Sequence, residues 1–133
     1  MNQQVVVFVD DDGPLRELIE RYLRKKGFIV HGFSDFGSAL VALESLKKVD
    51  ILITDYRYCR GFLNGVEFIE QGLEIRDDFG VLVLISSMPE AKERAERSSV
   101  PIDFLLKPNL VNLFSAKMFA KNLVHLVNGL QRK

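Results

Sequence analysis

Val5-Val6-Val7-Phe8-Val9-Asp10-Asp11 sets five apolar residues in succession against two carboxylates. A run this short and unbroken reads as a strand buried on both faces, as in a parallel sheet covered by helices. The same pattern recurs in Ile51-Leu52-Ile53-Thr54-Asp55 and in Val81-Leu82-Val83-Leu84-Ile85-Ser86, while Asp103-Phe104-Leu105-Leu106-Lys107-Pro108 ends in a lysine. Ligands of open parallel sheets bind beyond the carboxyl ends of the strands, so the four polar ends are expected to share one rim. Asp10, Asp11, Asp55, Ser86 and Lys107 there form a candidate site for a divalent cation and a phosphoryl group.

Helical patterns separate these runs. Leu15, Leu18, Ile19, Tyr22 and Leu23 recur at steps of three and four, with Pro14 suited to the first helical position and Gly27 to the position past the end. Phe28 to Phe33 reads as a second strand. Ser34 or Asp35 can cap a second helix with Ala39, Leu40, Leu43 and Leu46 inward. A third helix is expected from about Val66 to Arg76, with Val66, Ile69 and Leu73 inward. Pro89 to Arg97 has only Ala91 and Ala95 as apolar contacts, which predicts the least firmly packed helix and a candidate moving part. A last amphipathic helix is expected from about Leu110 to Leu130. Five strands alternating with five helices, joined by right-handed crossovers, predict an α/β doubly wound parallel sheet with helices on both faces.

The chain has 133 residues, 47% hydrophobic and 27% charged, which fits one domain spanning 1–133 with no output domain. Lysine plus arginine equals aspartate plus glutamate, 18 against 18, so no global field draws it to nucleic acid or an anionic membrane. Cys59 is the only cysteine, which excludes a disulfide framework and suits a reducing compartment. The first residues carry no basic lead, and Val5 to Val9 is too short for a signal or membrane segment, so a cytoplasmic location is expected.

The set Val9-Asp10-Asp11-Asp12, Thr54-Asp55, Ser86-Ser87 and Lys107-Pro108 resembles the receiver domain of two-component response regulators, over nearly the whole chain. The resemblance implies a flavodoxin-like sheet of order 2-1-3-4-5. It implies that Asp55 accepts the phosphoryl group, with Asp11, Asp55 and the backbone carbonyl of Arg57 as Mg²⁺ ligands and Asp10 holding a metal-bound water. Hard carboxylate oxygens without histidine suit magnesium. Lys107, Ser86 and Ser87 would contact the phosphate, and Ser86 and Phe104 would form a switch biasing the surface of helix four, strand five and helix five. The implied partners are a sensor histidine kinase or a histidine phosphotransfer protein, and an output protein that the sequence does not name.

Other readings stand beside these. Asp12 reads as a plain helix cap, and Phe104 reads equally well as ordinary core. Phe8-Val9-Asp10-Asp11-Asp12-Gly13 also imitates a phosphohydrolase of the haloacid dehalogenase type with Asp10 as nucleophile, but that chemistry needs an acidic pair after the lysine, and no Asp or Glu follows Pro108. A receiver-shaped module that accepts no phosphate would be expected to lack an acceptor or lysine, and none is missing. The last helix carries Leu113, Ala116, Ala120, Leu123, Val127 and Leu130 on one face, with Leu110, Phe114, Met118, Phe119 and Leu126 around its sides. At about 1.5 Å per residue it would run about 30 Å, beyond what covering the sheet needs, so either a homodimer contact or the neighbouring elements cover the excess.

Overall fold

A computed structural model describes residues 3–56, 63–108, 110 and 112–131. In chain order the elements are β1 (Val5–Val9), α1 (Gly13–Lys25), β2 (Ile29–Phe33), α2 (Phe36–Ser45), β3 (Ile51–Asp55), α3 (Gly65–Ile75), β4 (Val81–Ser86), α4 (Pro89–Glu96), β5 (Asp103–Leu106) and α5 (Leu113–Gln131). All four strand pairings are parallel and the order is β2-β1-β3-β4-β5. The expected flavodoxin-like architecture is therefore the observed one.

Alternation along each strand sorts the core into two layers. Val6, Phe8, Ile51, Ile53, Val83 and Ile85 face α1 and α5, against Leu18, Ile19, Leu23, Phe119, Leu123 and Val127. Val7, Val9, Leu52 and Leu82 face α2 and α3, against Phe36, Leu43, Phe68 and Ile69. The inner strands are buried on both sides, which is why they read as unbroken apolar runs. A smaller cluster of Val66, Leu84, Ala91 and Ala95 seats α4, with half-buried Phe104 packed against it. As expected, only two alanines of α4 are buried, and its N-cap Met88 makes no side-chain cap.

Side-chain caps set most helix starts. Asp12 accepts the Leu15 amide at 3.1 Å and starts α1 one residue before Pro14. Asp35 rather than Ser34 caps α2. Asn64 and Glu67 form a reciprocal capping box that starts α3. At the far end of α2, Arg76 donates to the carbonyls of Leu43 and Leu46 at 2.7 and 2.8 Å while gripping both oxygens of Asp78, so it satisfies orphan carbonyls that no glycine cap covers.

Two expectations about the last helix are corrected. It begins at Leu113 rather than Leu110, because Asn112 supplies the cap by accepting the Ser115 amide at 2.9 Å. Its inner face is Phe119, Ala120, Leu123, Val124 and Val127, so Phe119 turns inward and Leu113 is 62% exposed. With the start moved three residues on, Leu113 lies in the first turn of α5. No helix among the described residues is long and apolar enough to cross a membrane.

Candidate functional site

Strand register brings the polar ends together. Val9 of β1 pairs with Thr54 of β3, which sets Asp10 beside Asp55, and Asp55 itself pairs with Ile85 one residue before Ser86. Ser86 pairs with Leu106, and the Lys107 amide donates to the Ser86 carbonyl at 2.8 Å. Four strands thus deliver Asp10, Asp55, Ser86 and Lys107 to one rim. Asp11 follows at the first residue past Asp10.

The side chains converge as well. Lys107 Nζ lies 3.3 Å from Asp10 Oδ2 and 3.5 Å from Asp55 Oδ2. Asp10, Asp11 and Asp55 each offer a carboxylate oxygen, and these lie within 4.8 Å of one another. A hollow of about 10 Å³ borders all three, room for one ion or water. Hard oxygen donors of this number, spacing and charge fit a magnesium ion that keeps several waters, and Asp10, Asp11 and Asp55 are the residues that would hold it. The Arg57 carbonyl, and with it Cys59 and Arg60, lies outside the described residues.

Burial differs sharply across the cluster. Asp10 is 1% exposed, Asp55 is half-buried and Asp11 is exposed. Burial pushes the Asp10 carboxyl up to about 6, with Asp55 adding to the rise and Lys107 and the Asp12 amide opposing it. For Lys107, burial favours the neutral amine, but attraction to Asp10 and Asp55 outweighs it and the ammonium is held more tightly than usual. The lysine therefore stays charged within reach of any anion on Asp55.

Ser86 is 1% exposed, and its Oγ accepts the Met88 amide at 3.0 Å, so it ties the end of β4 to the start of α4. Ser87 is exposed. Phe104 is half-buried against the cluster that seats α4. Asp12 acts as the cap it was read to be, and its amide also donates to Asp10 Oδ1 at 2.9 Å.

Residues that the sequence reading passed over hold the acidic turn in place. Arg16 Nη1 donates to the Asp10 carbonyl at 2.7 Å, and Glu20 steadies Arg16 from 3.4 Å while also meeting Arg24 at 3.4 Å. The Glu20 carboxylate lies over Gly32 of β2 so closely that a β-carbon there would collide with it. On the other side, a β-carbon on Gly65 would run into the Asp55 carbonyl and Tyr56, so only glycine lets α3 start against the end of β3. The Arg16 to Glu20 step of four on one helix face was a usable signal for the ion pair; the opposing glycine, on another strand, had none.

Two predictions test this geometry. Because the folded Asp10 retains its proton to about pH 6 while the unfolded residue loses it near 4, stability contributed here falls as pH rises through that window. Asp10→Asn is expected to gain roughly 1–3 kcal/mol in urea unfolding at pH 7 and to gain little at pH 4; an unchanged or lower stability at pH 7 would contradict the burial argument. Gly32→Ala is expected to change stability by less than about 1 kcal/mol, because the Glu20 carboxylate is the far end of a flexible side chain and can swing aside, whereas Gly65→Ala, whose added carbon would meet the backbone of Asp55 and Tyr56, is expected to lose about 2 kcal/mol or more. Equal losses in the two variants would contradict this.

No protein-family model matches the chain. It is 26% identical over 129 residues to protein-glutamate methylesterase/protein-glutamine glutaminase 2 of Caulobacter vibrioides, a match over 94% of this chain. The chain spans about a third (36%) of that relative's length. Among solved structures, the response regulator domain of Thermotoga maritima CheB superposes with a TM-score of 0.76 at 21% identity, covering 99% of this chain and 98% of that one. The response regulator receiver protein of Pseudomonas putida gives 0.71 at 25% identity over 97% and 98% of the two chains. That of Sinorhizobium medicae gives 0.70 at 25% identity over 93% and 96%. In fold the chain is similar to the CheY-like receiver domains of response regulators, and its rim carries an acidic cluster that fits a phosphorylation site.

Proposed function

We propose that this receiver takes a phosphoryl group onto Asp55 from the phosphohistidine of a sensor kinase or histidine phosphotransfer protein, in a Mg²⁺-dependent reaction in the cytoplasm. One observation carries the reading: Lys107 Nζ stands 3.5 Å from Asp55 Oδ2 and 3.3 Å from Asp10 Oδ2, beside three carboxylates whose oxygens lie within 4.8 Å. An Asp55 oxygen attacks phosphorus as the donor's N–P bond breaks and the electron pair leaves with the imidazole. The Lys107 ammonium is placed to meet the phosphoryl oxygens as they approach. Asp11, Asp55 and, as the resemblance implies, the Arg57 carbonyl would hold Mg²⁺, with Asp10 on a metal-bound water, and the ion would supply further charge neutralisation. The same groups assist hydrolysis of the aspartyl phosphate. Burial of Asp10 favours Asp55 as the nucleophile, since a residue 1% exposed cannot meet a donor protein.

A groove of about 850 Å³ between α1 and the start of α5, edged by Asp12, Pro14, Leu110 and Leu113, opens next to the acidic turn and supports docking of the donor there. Phosphorylation adds roughly 1.5 to 2 negative charges, enough to draw the Ser86 hydroxyl, and with Ser87 the loop before α4, toward Asp55. Ser86 then gives up the Met88 amide, the start of α4 loosens, and Phe104 moves into the vacated space, altering the α4, β5 and α5 surface that an output partner reads. That surface already exposes Leu106, Phe114 and Met118 at 56, 73 and 45%, which supports a homodimer through α5.

Incubation with acetyl phosphate and Mg²⁺ is expected to add the mass of one phosphoryl group to the intact chain, and to add nothing in Asp55→Asn or after EDTA. The labelled chain should show shifted Phe104 ring resonances. Labelling that persists in Asp55→Asn would contradict the assignment, as would turnover of para-nitrophenyl phosphate that depends on Asp10. Sedimentation of the chain should show concentration-dependent mass that Phe114→Glu abolishes; a monomer at every concentration would remove the dimer.

A further inference from the structure

Away from the rim, the C-terminal halves of α1 and α5 enclose a cleft of about 500 Å³, within the size range of small-molecule sites. Its floor is the buried Val124 and one side is the half-buried ring of Tyr22. Around this apolar surface stand Lys25, Lys26, Lys121 and His125, all exposed, and no carboxylate lines the cleft.

The fold accounts for only two of these cations. Lys25 and Lys26 close α1, where the helix dipole favours positive charge. Lys121 and His125 gain nothing of the kind, since they lie inside α5 and away from its last turn. No ion pair joins any of the three lysines to a carboxylate among the described residues, and the nearby Glu20 is committed to Arg16 and Arg24. The sequence has no Asp or Glu after Pro108, although the chain as a whole balances 18 cations against 18 anions. The counter-charges are gathered elsewhere, and like charges on two helices are brought face to face across a concave, partly aromatic wall.

We propose that this cleft binds a small organic phosphate of the nucleotide class. The ammonium groups of Lys25, Lys26 and Lys121 would meet the phosphates, the Tyr22 ring and Val124 would take the planar base, and the Asn128 amide would supply a polar contact to it. A flat acidic protein surface would leave the apolar floor unused, whereas a base with a phosphate tail fills both parts. The site is independent of phosphorylation at Asp55.

The test uses the ¹⁵N-labelled full chain in physiological salt without Mg²⁺, titrated with ATP, GTP, inorganic triphosphate and adenosine. ATP or GTP is expected to shift the amides of Tyr22, Lys25, Lys121 and Val124 saturably below about 1 mM, with triphosphate and adenosine each at least tenfold weaker. Lys25→Gln combined with Lys121→Gln, both exposed and harmless to folding, should weaken nucleotide binding at least tenfold while leaving the remaining amides in place. The proposal is overturned by the absence of saturable shifts, by equal binding of triphosphate, or by shifts confined to Asp11, Asp55 and Lys107. Flotation with phosphatidylglycerol vesicles in the absence of nucleotide binding would also overturn it, by assigning the cations to a membrane surface.

Discussion

The parallel pairing of β1 with β3 forces two carboxylates, Asp10 and Asp55, to lie side by side at the end of a buried sheet, and everything at the rim follows from managing that repulsion. Lys107, delivered by β5 across β4, sits 3.3 and 3.5 Å from the pair and offsets part of their charge. The offset is incomplete. Three carboxylates face one ammonium, so the rim keeps net negative charge, and the buried member, Asp10, holds its proton to about pH 6. A divalent cation is the addition that removes this imbalance, which is why the arrangement is costly as a structure and useful as a site.

Support for the acidic turn comes from outside the rim. Arg16 grips the backbone of Asp10, Glu20 grips Arg16, and Gly32 leaves room for Glu20. On the opposite side Gly65 lets α3 begin against the carbonyl of Asp55. The two sides that fix Asp10 and Asp55 are therefore rigid, whereas the third side is not. α4 buries only Ala91 and Ala95, lacks a side-chain cap, and is held to α3 through Glu70, which meets Arg94 at 3.6 Å and Ser98 at 3.0 Å. Rigid ligands beside a loosely seated helix suit a domain that converts a local charge change into a surface change.

Much of this was legible in the sequence because each link has a local signal. Strands buried on both faces need unbroken apolar runs, and runs of that kind end at the sheet rim where polar groups collect, so Asp10, Asp55, Ser86 and Lys107 marked their own positions. The sheet order came with the family resemblance rather than from the runs themselves. What the sequence hid are relations between distant segments: that Phe119 rather than Leu113 faces the sheet depends on where Asn112 starts α5, and that the Glu20 carboxylate lies against Gly32 joins residues twelve positions apart on different elements. The Arg57 to Phe62 stretch gave no readable pattern, since it matches neither period.

The account rests on the rim groups acting together on one phosphoryl group. A crystal structure grown with Mg²⁺ and beryllofluoride tests that most directly. The account predicts beryllium bonded to an Asp55 oxygen, Mg²⁺ between Asp11 and Asp55, and fluorines contacted by Lys107 Nζ and Ser86 Oγ. Beryllofluoride bonded to Asp10, or bound on Asp55 with Lys107 and Ser86 turned away from it, would contradict the account.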